Sequence, residues 1–513
     1  MATKATKPKT RKPAADYRVR IRMYQQGLGD CFLLTFPAGK SKQAHVMIDC
    51  GIVLGTSEPG KVMTQVAQDI KKTTKGKVDV LAITHEHWDH LSGFDPAQAR
   101  DIFKGVKFGK LWLAWTEDEK NPLAQQLRTE REKKKKAAAK ARDEMQKRGL
   151  TQQAGRMAGL LGFFGAKAAG GDDASAEEEE AGGGTTGALN FLKSHSTPTI
   201  LETGGRPLSI PGVEGVRVYV LGPPLDRDAL KKTNPGKSQG YALAEEPIGL
   251  TDSFLAAFDT EDELAQPFAR SQRRPLVQLP ERLAAAQHTR RSAGAHAPAI
   301  SGIDGYLLPE NQWRSIDDAW LGMGERLALQ LDNATNNTSL VLAFEFDSPP
   351  GQDTRDVLLF VGDAQAGNWL SWDEHTWTVR DGDGGRRKVT AEDLLQRTIF
   401  YKVGHHGSHN ATLREKGLER MTSSRLAAVI PVDTRVAHEV KGWEHMPLPA
   451  IRERLRKKCT VVFQSDGQPD VQDRPQAGRW QPSTEKFDVF MKNPKTKKVE
   501  SVRKQNLYTD YYL

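Results

Sequence analysis

The sequence predicts an α/β fold. Short apolar runs typical of β-strands are interspersed with helical stretches, and three of these runs end directly in side chains of the kinds that bind metals. In α/β proteins the carboxyl ends of the strands are where sites are usually built. A functional site is therefore expected where these three runs end.

The first part of the chain has strand signals interrupted by glycine and other turn residues. The predicted strands are Tyr17–Met23, Cys31–Phe36, His45–Gly51, Val78–Ile83 and Leu111–Trp115, with helices over Val62–Lys72 and Leu91–Phe103. The first three strands are close together in sequence, which favours an antiparallel sheet at the start of the domain.

The second part repeats the pattern of buried strands followed by polar residues. The predicted elements are strands over Asn336–Phe346, Val357–Val361, Thr398–Val403, Leu426–Val432 and Thr460–Gln464, with an amphipathic helix over Leu448–Lys458. The second of these strands runs into Asp363, and the third runs into His405 and His406.

Two segments between these parts have compositions that do not suit a packed core. Leu123–Gly149 reads as a highly charged helix, and Gly165–Gly187 is rich in Gly and Ala with an acidic patch, a composition typical of disorder. The predicted organisation is a disordered basic tail (1–16), a first core half (17–119), a charged helical and low-complexity insertion (120–188), core strands (189–224), a second insertion (225–300), a second core half (301–475) and a C-terminal hairpin or tail (476–513).

The basic character of the chain is confined to two segments. The net charge is +9, of which residues 1–16 contribute +4 and residues 128–148 contribute +6, so that the rest of the chain carries about −1. Such runs are usually solvated surface, and the alternative is a patch that binds the phosphates of nucleic acid. The residues around the histidines are not themselves basic.

Cysteine content and hydropathy predict a cytoplasmic protein that is not in the membrane. The three cysteines, Cys31, Cys50 and Cys459, are far apart in sequence, which argues against a disulfide framework and against a cysteine-based metal site. No apolar run is long enough to cross a bilayer, and residues 1–16 do not resemble a secretory signal.

The segment Thr84-His85-Glu86-His87-Trp88-Asp89-His90 carries the strongest chemical signal. His85 and His87 alternate on an extended segment, so both can face one cation, while Asp89 and His90 can face a second. Imidazole and carboxylate donors suit zinc, and also manganese or iron. A carboxylate such as Asp363 can bridge two cations that hold a hydroxide at neutral pH.

Five motifs together resemble a known family. They are Gly27-Leu28-Gly29-Asp30, Ile48-Asp49-Cys50-Gly51, His85-Glu86-His87-Trp88-Asp89-His90, Phe360-Val361-Gly362-Asp363 and Val403-Gly404-His405-His406-Gly407-Ser408, and they resemble the metallo-β-lactamase superfamily. More narrowly, they resemble the branch that contains the hydrolase domain of the DNA-uptake protein ComEC. The resemblance covers roughly 17–119, 196–224 and 301–467 and implies an αββα sandwich with the metals at one edge of two facing sheets.

The resemblance also implies roles for individual residues. His85 and His87 hold the first metal, Asp89 and His90 hold the second, and Asp363 bridges the two. His405 completes the second site, with His406 as the alternative. Asp49 orients a histidine or the bridging water, and Asp30, Ser408 and His409 are further candidates for contacts behind the ligands or with substrate.

One departure from the family pattern concerns the first metal. Many members supply a third histidine from a region that here reads Asn336-Asn337-Thr338-Ser339. Asn336 is a candidate weak oxygen ligand or substrate contact, and the first metal is then looser or prefers oxygen, as manganese does. His195 is an alternative donor from elsewhere in the chain.

Three aromatic or histidine positions have two interpretations each. His445 resembles a histidine near the site in the same branch, which contacts the scissile group or protonates a leaving group, and otherwise it is a surface-loop residue. Trp369 and Trp372 are interpreted as packing residues in preference to a platform for stacking bases.

These observations predict a dinuclear metal-dependent hydrolase with two zinc or manganese ions, in which a metal-bound hydroxide attacks a phosphodiester and the catalytic residues are Asp89, Asp363 and His445. A nuclease is favoured by the family likeness and the basic insertion. The alternatives are a small-molecule ester or lactone hydrolase, and a binding or scaffold protein that contacts a protein or nucleic acid through residues 120–188.

Overall fold

A computed structural model of the chain describes residues 17–39, 42–165, 183–236, 238–241, 322–348, 355–380, 385–472, 476, 478–492, 496 and 498–513. The basic tail at 1–16, the acidic patch and most of the second insertion lie outside these residues, so those three predictions stay predictions.

The strands, in chain order, are β1 (Arg20–Tyr24), β2 (Cys31–Ala38), β3 (Lys42–Cys50), β4 (Lys77–Ala82), β5 (Lys107–Ala114), β6 (Thr197–Leu201), β7 (Val216–Gly222), β8 (Val341–Phe346), β9 (Val357–Phe360), β10 (Thr376–Arg380), β11 (Arg386–Thr390), β12 (Thr398–Lys402), β13 (Ala427–Ile430), β14 (Val461–Gln464), β15 (Asp470–Val471), β16 (Arg479–Pro482), β17 (Lys486–Lys492), β18 (Val499–Asn506) and β19 (Tyr508–Tyr512).

The helices are α1 (Pro59–Thr74), α2 (Trp88–Leu91), α3 (Arg100–Phe103), α4 (Pro122–Lys147), α5 (Thr151–Leu161), α6 (Gly184–Ser194), α7 (Arg227–Lys231), α8 (Gly322–Asn336), α9 (Ala366–Ser371), α10 (Ala391–Gln396) and α11 (Pro449–Lys458). The single helix predicted over Leu91–Phe103 is wrong, because α2 and α3 are separated there by a 3-10 turn at Ser92–Phe94 and a non-helical stretch.

The chain divides into two compact units. One unit comprises Met1–Leu127, Gly162–Glu246 and Asp332–Leu513, and the other comprises Arg128–Leu161 and Pro247–Leu331. Within the second unit, Arg156 on α5 donates a hydrogen bond to Glu325 on α8 at 2.7 Å. All the metal-binding candidates lie in the first unit.

Two sheets form the first unit. One has the order β16-β19-β1-β2-β3-β4-β5-β6, antiparallel up to β3 and parallel from β3 to β6. The other has the order β15-β14-β13-β12-β9-β8-β7, with β9, β12, β13 and β14 parallel. Because β4, β9 and β12 all belong to parallel pairs, the residues that follow them emerge where sites are usually built.

Apolar side chains from both sheets meet between them and form the core. Phe32 on β2 packs against Phe360 on β9 with ring centroids 5.4 Å apart, and residues such as Ile48 and Phe400 belong to the same buried cluster. The outer face of the first sheet packs against α1 through a second apolar cluster, and α11 buries Ile451 and Leu455 against the second sheet. The arrangement confirms the predicted α/β sandwich of two facing sheets.

The C-terminal segment forms both a hairpin and part of the main sheet. β17 and β18 pair as an antiparallel hairpin, while β19 pairs with β1 from Arg20↔Tyr512 to Tyr24↔Tyr508. The buried Arg22 guanidinium fixes this pairing through Asp510, with Nε to Oδ1 at 2.8 Å, and it also contacts Asp69 of α1 at 2.6 Å. The end of the chain is thus integral to the first sheet.

Among the described residues, no helix combines the length and the apolar character needed to cross a bilayer. The longest, α4, has many charged side chains along its 26 residues.

His45 on β3 makes the stability of the fold depend on pH. Its side chain is 5% exposed, and burial lowers its pKa to about 4, although Asp79 acts in the opposite direction. An unfolded histidine has a pKa of about 6.5, so between pH 6.5 and 4 the unfolded chain binds more protons and the free energy of unfolding falls as the pH decreases. The free energy of unfolding of the unaltered protein therefore falls between pH 7 and pH 4.5, and we expect His45→Gln to make this fall smaller by about 2 kcal/mol.

Urea denaturation of both proteins at the two pH values measures this difference. The exposed His445 provides the control, because His445→Gln makes the same substitution at the surface of the protein. An equal loss in His45→Gln and the unaltered protein would contradict the prediction.

Candidate metal centre

The predicted ligands come together at the ends of three strands. His85–His90 follows β4, Asp363 follows β9 and His406 follows β12. β9 and β12 are parallel neighbours, with Lys402 opposite Phe360, so Asp363 and His406 leave the sheet side by side. The convergence that the sequence predicted from three strand ends is therefore present in the fold.

A glycine allows the histidine loop to approach the first sheet. A Cβ atom at Gly51 would lie 2.2 Å from the carbonyl carbon of Asp89, so any side chain there would displace the loop. The Asp89 carbonyl also accepts a hydrogen bond from the backbone N–H of Asp30 at 3.0 Å. Gly51 thus sets the position of the loop that carries Asp89 and His90.

Four side chains form one buried cluster. Nε2 of His406 lies 2.8 Å from Oδ2 of Asp89, and Nε2 of His90 lies 3.3 Å from Oδ2 of Asp363. One donor atom from each of these four residues lies within 4.8 Å of the other three. Each side chain is at most 1% exposed.

This cluster fits a divalent cation. His90 Nε2 and Asp89 Oδ1 are buried without a hydrogen-bond partner, although such atoms in folded proteins are almost always paired. Burial raises the pKa of Asp89, but His90 and the hydrogen bond from His406 bring it down to about 2, so the carboxylate is ionised. Two imidazoles and two carboxylates form a donor set that suits zinc or manganese.

His85 and His87 form a second, adjacent pair. Nε2 of His85 lies 3.0 Å from Nδ1 of His87, and the ring centroids of His85 and His90 are 4.2 Å apart. Burial lowers the pKa of both His85 and His87 well below its ordinary value, so the rings are neutral at pH 7. Neutral imidazole is the form that binds metals.

The neighbouring residues His405 and His406 lie in different environments. Both have left-handed backbones, with φ of 44° and 52°, which is uncommon for residues other than glycine and is often found at functional sites. His406 joins the four-residue cluster, whereas the His405 backbone N–H donates to Oδ1 of Asp363 and its ring lies 3.5 Å from Nδ2 of Asn336. The preference for His405 as the fourth member of this cluster is therefore corrected to His406.

Asp49 lies behind His90. Its Oδ2 accepts a hydrogen bond from Nδ1 of His90 at 2.8 Å, and its carboxylate also accepts from the backbone and hydroxyl of Thr84. Because a carboxylate can only accept, the proton of this hydrogen bond is on Nδ1, and Nε2 is the His90 nitrogen that faces the cluster. The geometry suits the orienting role that the resemblance implied.

Lys402 is a residue of the centre that sequence reasoning missed. Its buried ammonium donates to the Gly362 carbonyl at 2.7 Å, and contacts Oδ2 of Asp30 at 2.5 Å and Oδ1 of Asp363 at 3.2 Å. Burial lowers the pKa of Lys402, and the two carboxylates raise it above its ordinary value. The available signal was a lysine in the otherwise apolar Thr398–Val403 run.

Other candidates lie outside the cluster. His445 is exposed on its loop, Ser408 donates to Asn410 at 3.1 Å, and His409 is half-buried. Nδ1 of His195 donates to the Phe191 carbonyl at 2.9 Å at the end of α6, a contact that belongs to that helix end. The sequence offered His445 as a catalytic residue, and this structure does not place it among the described ligands.

Trp369 and Trp372 are packing residues, as the sequence favoured. Both are 1% exposed, and their ring centroids are 4.1 Å apart. Nε1 of Trp369 donates to the Ala364 carbonyl at 3.1 Å. Neither ring is available as a surface for stacking bases.

The two-sheet fold with metal-binding side chains at one rim defines a class of metal-binding α/β domain. Residues 25–196 match the family model described as the metallo-beta-lactamase superfamily, so this part of the chain is similar to that superfamily. This bears out the wider resemblance, while the ComEC-like branch stays a prediction.

The solved structures include one similar chain, the metallo-beta-lactamase fold protein YhfI from Bacillus subtilis. The two are 11% identical with a TM-score of 0.17, and the match covers 39% of this chain and 52% of that one. The chain thus matches about half the length of YhfI. No curated protein matches.

Proposed function

We propose that this protein is a dinuclear metallohydrolase that cleaves phosphodiesters, with nucleic acid as the favoured substrate. The observation that carries the proposal is the pair of adjacent donor sets at one rim, His85 with His87 and Asp89 with His90, Asp363 and His406. Two divalent ions held by these residues would lower the pKa of a bound water and neutralise charge that develops on a phosphoryl group.

The side chains supply position and charge. Lys402 and the His405 backbone N–H both bind Oδ1 of Asp363, so Oδ2 is the oxygen left to face His90 and His406. Asp49 holds the proton on Nδ1 of His90, so that Nε2 is the nitrogen available to bind a metal. These contacts fix the ligands before a cation binds, which limits the reorganisation needed in the reaction.

The nucleic-acid part of the proposal depends on charge. The segment 128–148 carries +6, and basic segments of this kind attract phosphate backbones. Zinc and manganese both suit the donor set, and a cytoplasmic location agrees with three free, buried cysteines. The alternative is that residues 120–188 bind a protein partner.

Metal analysis combined with a substrate panel tests the proposal. We expect about two equivalents of zinc or manganese in the purified full-length protein, and hydrolysis of single- or double-stranded DNA with manganese. Turnover of a small phosphodiester but not of DNA would indicate that the substrate is a small molecule. Turnover of a lactone alone would favour an ester or lactone hydrolase. Protein that binds no divalent metal would contradict the proposal as a whole.

A further inference from the structure

We infer that Asp332 is a positioning residue for the first metal site, where its carboxyl group fixes the ring of His87 so that Nδ1 faces Nε2 of His85, the two nitrogens that would hold the cation. The inference rests on the metal binding in the proposed function, but not on the substrate. Asp332 lies in the last turn of α8. Neither the strand-end pattern nor the family resemblance pointed to it.

The His87 ring has one nitrogen toward His85 and one toward Asp332. Nδ1 lies 3.0 Å from Nε2 of His85, and Nε2 lies 3.8 Å from Oδ1 of Asp332. Both His87 Nε2 and Asp332 Oδ1 are buried and have no hydrogen-bond partner. Two complementary unpaired atoms that face each other need to approach by only about 1 Å to form a hydrogen bond.

The other three histidines already have such a partner on the nitrogen that points away from the centre. Nδ1 of His90 donates to Asp49 at 2.8 Å, and Nδ1 of His406 donates to the Pro431 carbonyl at 2.7 Å. Nδ1 of His85 lies 3.1 Å from the Thr84 hydroxyl and 3.3 Å from the Ser339 hydroxyl. Metal-bound histidines almost always carry a partner of this kind, and Asp332 supplies it for His87.

Asp332 is the hydrogen-bond acceptor that faces Nε2 of His87, and the Lys441 ammonium lies close enough to act on the same carboxyl group. The rings of Phe163 and Phe164 pack on His87, with centroids 5.4 and 5.0 Å from that of the imidazole. Nδ2 of Asn336, one turn along α8, lies 3.3 Å from Oδ2 of Asp332 and so leaves Oδ1 for His87. Burial raises the pKa of Asp332, and its carboxyl offers an acceptor oxygen whether or not it is protonated.

This arrangement accounts for a first site without a third histidine. Asn336 stands where the sequence lacks that residue, and it contacts Asp332. A site with two histidine ligands depends more strongly on the orientation of each ring. A group that holds His87 in place therefore affects the affinity of that site directly.

Cobalt titration of the metal-free, full-length protein tests the inference, with visible absorption and calorimetry as readouts. The first-site binding event is identified as the one that His87→Ala removes. We expect Asp332→Ala to weaken that event about 10–100-fold and to change its absorption spectrum, because the ring loses its partner. Asp332→Asn keeps an acceptor oxygen and is expected to stay within about threefold of the unaltered protein.

Leu329→Ala, at an exposed position of α8, is the matched control and is expected to bind cobalt normally. If Asp332→Ala does not fold, Asp332→Ser, whose hydroxyl is too short to reach the ring, replaces it. Equal weakening by Asn and Ala would indicate that Asp332 is a charged ligand and would overturn the inference, as would normal binding by Asp332→Ala.

The readout separates this inference from the proposed function. The expected cobalt pattern in a protein that cleaves no phosphodiester would leave the role of Asp332 intact and refute the substrate. Phosphodiester cleavage with unchanged cobalt binding in Asp332→Ala would refute the role of Asp332 alone. A protein that binds no cobalt would refute both.

Discussion

Replacing Asp363 with alanine is expected to lower kcat/KM for phosphodiester hydrolysis by about 10³-fold or more, since the charge stabilisation from bound metals is worth several kcal/mol. Oδ2 of Asp363 lies 3.3 Å from Nε2 of His90 and 3.8 Å from that of His406, so one oxygen faces two ligands. Alanine removes the carboxylate that links the elements of the centre.

Steady-state kinetics with manganese and a small phosphodiester measure the effect, and circular dichroism shows whether the variant is folded. Asp347→Ala is the matched control, because Asp347 is 47% exposed and pairs with Arg217 away from the cluster. The control is expected to retain full activity. Unchanged activity in a folded Asp363→Ala protein would exclude this site as the catalytic centre.

Replacing Lys402 with methionine is expected to destabilise the fold by about 3–5 kcal/mol. The Lys402 ammonium is 1% exposed and is the cation shared by Asp30 and Asp363, which are themselves at most 2% exposed. Methionine fills a similar volume but leaves two buried carboxylates without that countercharge. Removing one partner of a buried ion pair costs much more than removing both.

The double variant Lys402→Met with Asp30→Asn tests this explanation. We expect it to recover most of the lost free energy of unfolding in urea denaturation, because one of the two carboxylates is neutralised together with the lysine. Lys77→Met is the control, since Lys77 is 63% exposed, and a change within about 0.5 kcal/mol is expected there. A loss of less than about 1 kcal/mol in Lys402→Met would show that the buried pair contributes little.

The wider family, the two-sheet class of the fold and the main ligand cluster were all accessible from the sequence. The signals were local, because the histidine segment directly follows β4 and Asp363 directly follows β9, each after an apolar strand. The charged composition of the basic insertion also indicated a helix, and α4 covers most of that segment. Composition did not determine the substrate, which depends on surfaces that no motif describes.

The sequence by itself determined which residue types are present at the strand ends, and hence that a metal-binding α/β domain was to be expected. Only the tertiary structure decided between the neighbours His405 and His406, because two consecutive left-handed residues direct their side chains differently. It also brought Lys402 to Asp30, and β19 to β1, across hundreds of residues. Such contacts depend on how distant segments pack, and neither local propensity nor residue spacing predicts them.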